Sequence, residues 1–547
     1  MRLKLYVWLT LFSAVLSLQA QTNVPVRPIS LRQAVQLALE NNFDIAIERY
    51  EPQIQSYQLG ADYGYYDPIF RVTGLHTFEA GEGEFDPVTG LQAAGGTGRE
   101  TDILDFSLQG VLGPTGLRYN LGADYRHRYG ETERDWITID QQNGPTTVIP
   151  RQLRFDQYST AFNIGLEQPL LRDFWIDAGR LSIKLQRKDL RMSELQLLFV
   201  VQDTVRKTEQ TYYRLIAAID NVAAWQQSLD LAQKLLGDIR SRIDAGTLAT
   251  LEDKQVESEI ELRKTEQLKA QRALVGEENA LKNLISNQSQ QWYNVRLVPA
   301  EKLLAVAQTY DLQDSWISAL NSRPDFNRIK EELARQGLVV KYDFNQLFPY
   351  LNLLGTYGRR GFDELAYRED VQNNVVIGTT TNDITTLVKS REASYTRALR
   401  DVGDETNPRY SYGALLRLPL SFRRERYNYK GSKSLEDQLT AQVQQRQQEI
   451  MIEIEDVTQA AKLAFDRIQT SRRGREAAEV ALRAAQQQLE NARATPFSVL
   501  RLQRDLNDLR LEEILALEDY NVAIAELQFR EGRILQRKGV NVEISNK

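Results

Sequence analysis

Few residues of this chain have the types and spacing that catalysis, metal binding or nucleotide binding requires. The 547-residue sequence has two histidines, His76 and His127, and no cysteine, which argues against the usual transition-metal sites. Its one glycine cluster, Gly95-Gly96-Thr97-Gly98, lacks the strand and helix that flank a phosphate loop. The sequence also contains no Walker-type Gly-Lys-Ser/Thr and no nucleophile elbow. We therefore predict a protein that is not an enzyme and holds no cofactor and no metal.

Two short breaks in otherwise helical sequence are the places where a functional role is expected. The first is Asp244-Ala-Gly-Thr-Leu-Ala-Thr250, in which Gly246 suits a helix C-terminus. The second is Ala492-Arg-Ala-Thr-Pro496, in which Thr495 suits an N-cap and Pro496 the first helical position. Such residues cap and turn a helical hairpin, and a turn of fixed shape is also a surface to which a partner can bind.

Long proline-free stretches surround both breaks. No proline lies between Pro169 and Pro299, and after Pro419 only Pro496 occurs. Both stretches are rich in strong helix formers, which predicts helical hairpins at 177–286, with its tip near 244–252, and at 431–535, with its tip near 493–498. A helix from 177 to 243 would be roughly 100 Å long. Small and apolar residues at helical spacing predict coiled-coil packing, as in Leu229, Ala232, Leu236, Ile239 and Ile243, or Ala478, Ala481, Leu482, Ala485, Leu489 and Ala492.

Segments between the helices alternate apolar and polar residues, as strands do when one face lies in lipid and the other in a wet lumen. The predicted strands are at about 68–78, 102–112, 116–128, 158–168, 349–359 and 409–420. Long polar loops alternate with the tight turn Gly113-Pro-Thr-Gly116, as in an outer-membrane barrel. Pro169 and Pro419 each follow a last strand, where proline ends ladder pairing and marks the transition from barrel to helix.

The chain repeats itself at an offset of 281 residues. Leu31–Ile45 aligns without a gap on Leu312–Phe326, and Pro68 falls on Pro349. This predicts two structural repeats, at 21–298 and 299–547, the second opening with a helix at 311–341. The first repeat has more strands than the second.

Composition limits the class of protein further. The apolar fraction is 42%, the mean hydropathy is −0.45 and the net charge is −6, which argues against a general nucleic-acid binder. An apolar run after Arg2 and Lys4 predicts a secretory signal peptide at 1–20.

In order and in duplication, these features resemble the TolC-like outer membrane efflux protein family. The resemblance rests on the opening helix at 30–42, Pro68 and Pro349, Gln168-Pro169-Leu170, and Arg242-Ile-Asp-Ala-Gly246 followed by Leu251-Glu252. It implies an α+β membrane protein in which three chains share one outer-membrane β-barrel, continued by a long α-helical coiled-coil tunnel in the periplasm. Six strands per chain would give eighteen in the trimer.

The same resemblance implies a passive exit duct for small toxic compounds or drugs. Its expected partners are two further copies of the chain, a periplasmic adaptor protein, an inner-membrane transporter and outer-membrane lipid. A type I secretion channel for polypeptides is an alternative, and a periplasmic coiled-coil structural or adaptor protein is an alternative of another class.

The tips should close the duct and contact the adaptor. The residues that we expect to take part are Asp244, Ala245, Gly246, Thr247, Glu252 and Asp253 at the first tip, and Arg493, Thr495, Pro496, Ser498, Arg501 and Arg504 at the second. Many family members carry acidic residues at the start of the last long helix, where this chain has Ser498 and Arg501. We expect Arg501 or Arg504 to pair with an acidic tip residue and hold the pore closed.

Overall fold

The computed structural model describes residues 25–80, 98–141, 144–246, 251–307, 311–404, 407–491 and 493–539. The predicted signal peptide, Thr247, Thr250 and Ala492 lie outside these ranges. The chain divides into two compact units. A helical unit comprises Met1–Ser56, Lys188–Ala334 and Gln438–Lys547, and a strand unit comprises Tyr57–Arg187 and Arg335–Asp437.

The helices of the described residues are, in chain order, α1 (Leu31–Asn41), α2 (Phe43–Glu48), α3 (Tyr50–Tyr63), α4 (Ala178–Asp244), α5 (Leu251–Ile285), α6 (Ser289–Trp292), α7 (Leu312–Ser322), α8 (Pro324–Asn345), α9 (Tyr395–Gly403), α10 (Arg423–Glu490), α11 (Pro496–Arg530) and α12 (Ile534–Arg537). None of these described helices has the length and apolar character needed to cross a membrane.

The strands are β1 (Val26–Ile29), β2 (Ile69–Ala80), β3 (Gly98–Leu112), β4 (Leu117–Gln141), β5 (Thr147–Pro169), β6 (Arg296–Pro299), β7 (Tyr350–Glu364), β8 (Ala366–Ile377), β9 (Thr380–Arg391) and β10 (Pro408–Arg417). β1 and β6 form a parallel pair in the helical unit. The other strands form one antiparallel sheet whose continuous order is β10-β7-β5-β4-β3-β2, with β9 paired to the far end of β4 and β8 paired to β9.

Local sequence explains how the helices at the two predicted repeat starts begin. Ser30 and Gln33 form a reciprocal capping box at the start of α1. Asp311 caps α7 by accepting a hydrogen bond from the Gln313 N–H at 2.9 Å. The single helix predicted at 311–341 is instead the pair α7 and α8, because Pro324 lacks an amide hydrogen and favours an extended conformation at Arg323.

The long hairpins and the end of the insertion differ from the prediction in their bounds. The second hairpin begins at Arg423 rather than 431, and β10 ends at Arg417, two residues before Pro419. The segment 360–407, which lies between the predicted strands at 349–359 and 409–420, contains the end of β7, then β8, β9 and α9. Its polar composition reflects strands that pair with one another and with β4 rather than strands with an apolar face.

The two faces of the sheet have opposite character. Residue pairing across the strands places one set of side chains on a common apolar face: Phe70 and Val72 of β2, Leu104, Phe106 and Leu108 of β3, Leu121 of β4, Phe162, Ile164 and Leu166 of β5, Leu353 and Tyr357 of β7, and Tyr410, Tyr412 and Leu416 of β10. The opposite, polar face carries Arg71, Ser107, Gln109, Asn120, Asp124, Asn163, Glu167, Asn352, Thr356 and Ser411. Many large side chains of the apolar face are exposed in the single chain, including Phe70 at 65% and Tyr412 at 87%.

Helix α9 packs on the apolar face, over β7 and β5. A Cβ atom added to Gly361 of β7 would lie 1.7 Å from the carbonyl oxygen of Ala398, so the backbone of α9 lies directly against this glycine. Only a residue without a side chain leaves room for this contact.

We expect Gly361→Ala to displace α9 and to lower the free energy of unfolding by about 1–3 kcal/mol, because moving the backbone of either β7 or α9 is costly. Urea denaturation of the protein in detergent micelles measures the effect. Gly355→Ala, on the same strand, is the matched control, because nothing lies within 4 Å of its added Cβ. Equal midpoints for the two variants would contradict this account of the contact.

Candidate functional site

The first hairpin tip is a helix end of defined geometry. The Ala245 N–H donates to the Ser241 carbonyl at 3.1 Å, and the Gly246 N–H donates to the Ile243 carbonyl at 2.8 Å. Gly246 has a φ of +75°, the left-handed conformation in which glycine ends helices. Asp244, Ala245 and Gly246 are all exposed. The tip therefore presents a fixed turn with one carboxylate on its surface.

The first turn of the following helix, α5, contains Glu252 and Asp253. Both side chains are half-buried. Carboxylates at this position interact favourably with the positive end of the helix dipole. The first tip therefore concentrates negative charge.

The second tip is closed by its own caps. Thr495 Oγ1 accepts the Ser498 N–H at 3.3 Å, and Ser498 Oγ donates to the Thr495 carbonyl at 2.6 Å. Pro496 occupies the first turn of α11 and is buried, while the Arg493 side chain is exposed. The Arg493 N–H donates to the Gln488 carbonyl at 2.8 Å and so satisfies the end of α10. Thr495, Pro496 and Ser498 thus hold the shape of the turn, as their sequence predicted.

An apolar cluster, the tip core, joins the two hairpins behind these turns. Its buried members come from all four long helices: Leu229, Ala232, Leu235 and Ile239 of α4, Val256 and Ile260 of α5, Leu482, Ala485 and Leu489 of α10, and Val499, Leu500 and Leu506 of α11. Most residues of the two predicted seams are buried or half-buried here, but Ala481 is exposed. The hairpins therefore pack against each other as well as within themselves.

A buried arginine, Arg263 of α5, lies at the edge of the tip core and was not anticipated from the sequence. Arg263 is 2% exposed. Nη1 donates to the Ser228 carbonyl at 2.7 Å and to Gln503 Oε1 at 3.2 Å, and Nη2 donates to the Leu500 carbonyl at 3.5 Å. Nε donates to Glu259 Oε1 at 3.2 Å. One guanidinium therefore ties α5 to α4 and to α11.

The environment of Arg263 is unfavourable to its charge. Burial is the main reason that its pKa is lowered, the nearby Arg504 adds to this, and Glu259 opposes it. The sequence did carry a signal, because Arg263 continues the apolar register of Val256 and Ile260 along α5. An arginine in an apolar helical stripe either reaches solvent or finds internal acceptors, and only the structure shows which.

Polar links also occur at the surface of the tips. Arg242 Nη1, in the last turn of α4, donates to the Leu489 carbonyl of α10 at 2.8 Å. Glu257 of α5 accepts from Arg240 of α4 at 2.6 Å and from Lys254 at 2.8 Å. The Arg242 contact joins the two hairpins, whereas the Glu257 pairs join helices of the first hairpin only.

The expected pairing of Arg501 or Arg504 with an acidic tip residue is not made within the described residues of one chain, and it stays a prediction. Both are exposed, and neither comes within 4 Å of a carboxylate oxygen among the described residues of the chain. They line a groove of about 380 Å³ between α5 and α11, together with Lys254, Gln255, Ser258, Glu259, Phe497 and Leu500. Both side chains therefore place positive charge at the surface of this groove.

The two prolines at the strand ends have different positions. Pro169 is the last residue of β5, and the following Leu170 N–H donates to the Leu351 carbonyl at 2.8 Å. Pro419 lies between β10 and α10 rather than in a strand. Both positions allow the chain to leave the sheet before its long helix begins.

Replacing Arg263 with methionine should lower the free energy of unfolding by about 3–5 kcal/mol, because the buried acceptors on α4, α5 and α11 would lose their common donor. Hydrogen exchange should accelerate at α5 and α11 near the tip. Lys264→Met is the matched control, since Lys264 pairs only with Glu261 at the surface. Equal exchange in the two variants would show that Arg263 does not tie the hairpins together.

A second prediction concerns pH. Burial is the main cause that raises the pKa of Glu518 on α11 from 4.5 to about 7, with Asp519 and Glu277 adding and Arg214 opposing. Because the pKa of Glu518 is raised in the folded state, its contribution to the free energy of unfolding is fully present below about pH 4.5. That contribution is lost as the pH rises through about 7. Glu518→Gln should therefore be more stable than the parent at pH 8 and similar to it near pH 4.5. Denaturation midpoints across this range test the prediction, and an unchanged difference at the two pH values would refute it.

Comparison with known proteins agrees with this architecture. Residues 130–287 match the model of the family described as outer membrane efflux protein. A comparison with curated proteins gives no match. Among solved structures, the chain is similar to the Campylobacter jejuni CmeC outer membrane channel, with 14% identity, a TM-score of 0.59 and coverage of 94% of this chain and 90% of that one.

Two further channels are similar to the same degree. The outer membrane protein VceC of Vibrio cholerae has 13% identity and a TM-score of 0.59, with coverage of 92% of this chain and 96% of that one. The MtrE outer membrane channel of Neisseria gonorrhoeae has 13% identity and a TM-score of 0.58, with coverage of 92% and 89%. At these identities the similarity establishes the fold. Residues 130–287 thus match the outer membrane efflux protein family and the chain shares the fold of these outer membrane proteins, which confirms the family resemblance predicted from its sequence.

Proposed function

We propose that this chain is one protomer of a passive outer-membrane exit duct in a tripartite export system. The main observation behind this proposal is the sheet, which is apolar on one face and polar on the other. The same chain has two long helical hairpins, and each hairpin ends in a capped tip. Such a sheet suits a wall between lipid and a water-filled lumen. The outer membrane efflux protein match supports an outer-membrane location.

Three copies of the chain are proposed to form the barrel. The continuous sheet has β2 and β10 at its ends, and each end strand has one edge unpaired within the chain. Unpaired backbone groups are not tolerated in lipid, so these edges require partners. Pairing of β10 with β2 of the next copy would close a barrel of eighteen strands, with the polar face inside.

The tips are proposed to form the periplasmic end, which closes the duct and receives an adaptor protein. Their exposed turns and the groove between α5 and α11 provide a fixed surface for an adaptor hairpin. Phe497 is 58% exposed in that groove and would supply apolar contact. An inner-membrane transporter would provide the energy and choose the cargo.

The cargo class that we propose is small toxic compounds or drugs. The description of the matching family as an efflux protein favours it over polypeptides of a type I secretion system. The polar face carries charged side chains of both signs, and some of them pair with each other, as Arg118 does with Glu167 and Arg126 with Asp124. Such a wall suits passage without selective binding.

The purified full-length protein should migrate as a heat-modifiable trimer and conduct ions across planar bilayers. Expression in a strain that lacks its own duct should restore drug efflux only together with a matching adaptor and transporter. A monomer without conductance would rule out the duct. A conducting trimer that restores protein secretion and not drug efflux would instead support the polypeptide channel.

The gate makes a separate prediction. We propose that Arg501 or Arg504 pairs with an acidic tip residue of a neighbouring copy, Glu252 or Asp253, and holds the pore closed. Arg501→Ser and Arg504→Ser should then raise conductance and drug leakage several-fold. Arg493→Ser, at the exposed turn, is the comparison that removes a tip charge outside the groove. If both groove variants conduct like the parent, the arginines do not hold the gate.

A further inference from the structure

A row of polar side chains crosses the apolar face near the end of the sheet that lies away from the long helices. His76, Asp102, His127, Tyr158 and Asp363 are direct neighbours from β2 to β7 in the strand register. His76 Nδ1 lies 2.7 Å from Asp102 Oδ1, and the His127 ring stacks on that of Tyr158 with centroids 4.2 Å apart. We call this set the polar row.

The polar row lies where the apolar band should end. On β7 the apolar face runs from Leu351 to the polar row at Asp363, a span of about 41 Å, which becomes roughly 31 Å along the axis of a barrel with strands tilted by about 40°. That height is close to the thickness of the hydrocarbon core of a bilayer, about 30 Å. The polar row therefore marks the boundary between acyl chains and head groups on the outer side.

The band is incomplete just inside this boundary. In the row next to the polar row, β3 and β4 carry Leu104 and Tyr125, whereas β2 carries Gly74. In the same row β5 and β7 carry Thr160 and Gly361, and Arg359 follows on β7. Helix α9 covers this gap. Its Ala398 carbonyl lies over Gly361, its Tyr395 ring packs edge-on against Tyr125 at 5.0 Å, and its Gly403 carbonyl accepts from Arg359 at 3.5 Å.

Asp363 of the polar row fixes the start of α9. This side chain is 5% exposed. It accepts hydrogen bonds from the Ser394 N–H at 2.7 Å, from Arg391 Nη2 at 2.8 Å and from Arg397 Nε at 3.0 Å. Two guanidinium groups and a backbone amide thus hold the N-terminal end of α9 at Asp363.

The outer side of α9 is amphipathic and uncovered. Leu399 is 50% exposed and Tyr395 40% exposed, next to the exposed Arg400, which has no ion pair within the described chain. α9 contacts β5 and β7, which are inside the sheet, and not the edges at which a second copy would join. A helix can replace strand side chains in this position because its backbone hydrogen bonds are internal.

We propose that α9 is an interfacial helix that places Leu399 and Tyr395 among the outer-leaflet lipids and Arg400 among their anionic head groups. Its apolar side chains complete the band where β5 and β7 do not, and its arginine extends to the phosphates as long cationic side chains do at membrane surfaces. The inference rests on the proposed barrel, since the apolar face must be the lipid face. It adds a lipid-contact element that lies outside the strands.

Site-directed spin labelling can test this directly, because the chain contains no cysteine. Single-cysteine variants Leu399→Cys, Phe106→Cys and Ser107→Cys, labelled in the full-length protein and reconstituted in vesicles that contain anionic phospholipid, would be compared by electron paramagnetic resonance. Phe106 and Ser107 are adjacent on β3 and lie on the apolar and polar faces. We expect oxygen, which concentrates in lipid, to relax the labels at Leu399 and Phe106 several-fold more than an aqueous nickel complex does. At Ser107 the aqueous nickel complex should relax the label more than oxygen does.

The outcomes separate this inference from the proposed function. A label at 399 that behaves like the one at 107 places α9 in water and overturns the inference, and a label shielded from both reagents shows that protein covers the helix instead. If the label at 106 is also water-accessible, the barrel proposal itself fails. Asp363→Asn in the Leu399→Cys background should increase label mobility, and unchanged mobility would show that Asp363 does not fix the helix.

Discussion

Backbone hydrogen bonding in lipid is the constraint on which this structure depends. Strand backbones satisfy their N–H and C=O groups only through neighbouring strands, and the sheet of this chain has unpaired edges at β2 and β10. Because one face of the sheet exposes apolar side chains such as Phe70, Phe106 and Tyr412, a single chain does not satisfy this constraint by itself. The proposed trimer meets the constraint at both edges, because each β10 finds a β2. The same constraint would explain why α9, the proposed lipid-contact element, is a helix, whose polar backbone is satisfied internally.

The backbone groups at the helical tips also need hydrogen-bond partners. Apolar packing joins the four long helices, but the end of each helix leaves carbonyl and amide groups that need partners. Gly246, Thr495 and Ser498 satisfy them locally, and Arg242 donates to the Leu489 carbonyl at the end of α10. Arg263 instead joins α5 to positions inside α4 and α11. A buried guanidinium that donates to three helices costs much to remove and specifies one arrangement. Opening of a duct at this end must therefore avoid, or break, a small number of identifiable hydrogen bonds.

Several features could be predicted because they depend on neighbouring residues alone. The capping box at Ser30 and Gln33, the glycine end at Gly246 and the Thr495-Pro496 start are set by local chemistry. The division of α7 from α8 at Pro324 follows the same chemistry, and the prediction of one helix there gave too much weight to the helical composition on both sides. Alternation located the six strands of the continuous sheet, but not β8 and β9, whose polar side chains show no apolar face. The pairing of β9 with the extended end of β4 is a contact between residues more than 200 positions apart.

The sequence by itself determined the long helices, the positions of their breaks, the strands with an apolar side and the family resemblance. These follow from periodicity and from the few residues that begin or end helices, and they need no knowledge of distant contacts. Only the tertiary structure decided that Arg263 is buried, that Arg501 and Arg504 have no carboxylate partner in their own chain, and that α9 lies on Gly361 beside Asp363. Each of these depends on which atoms from remote segments meet in space. A charged side chain has the same sequence signal whether it reaches water or a ring of carbonyl oxygens, so its role is settled by packing.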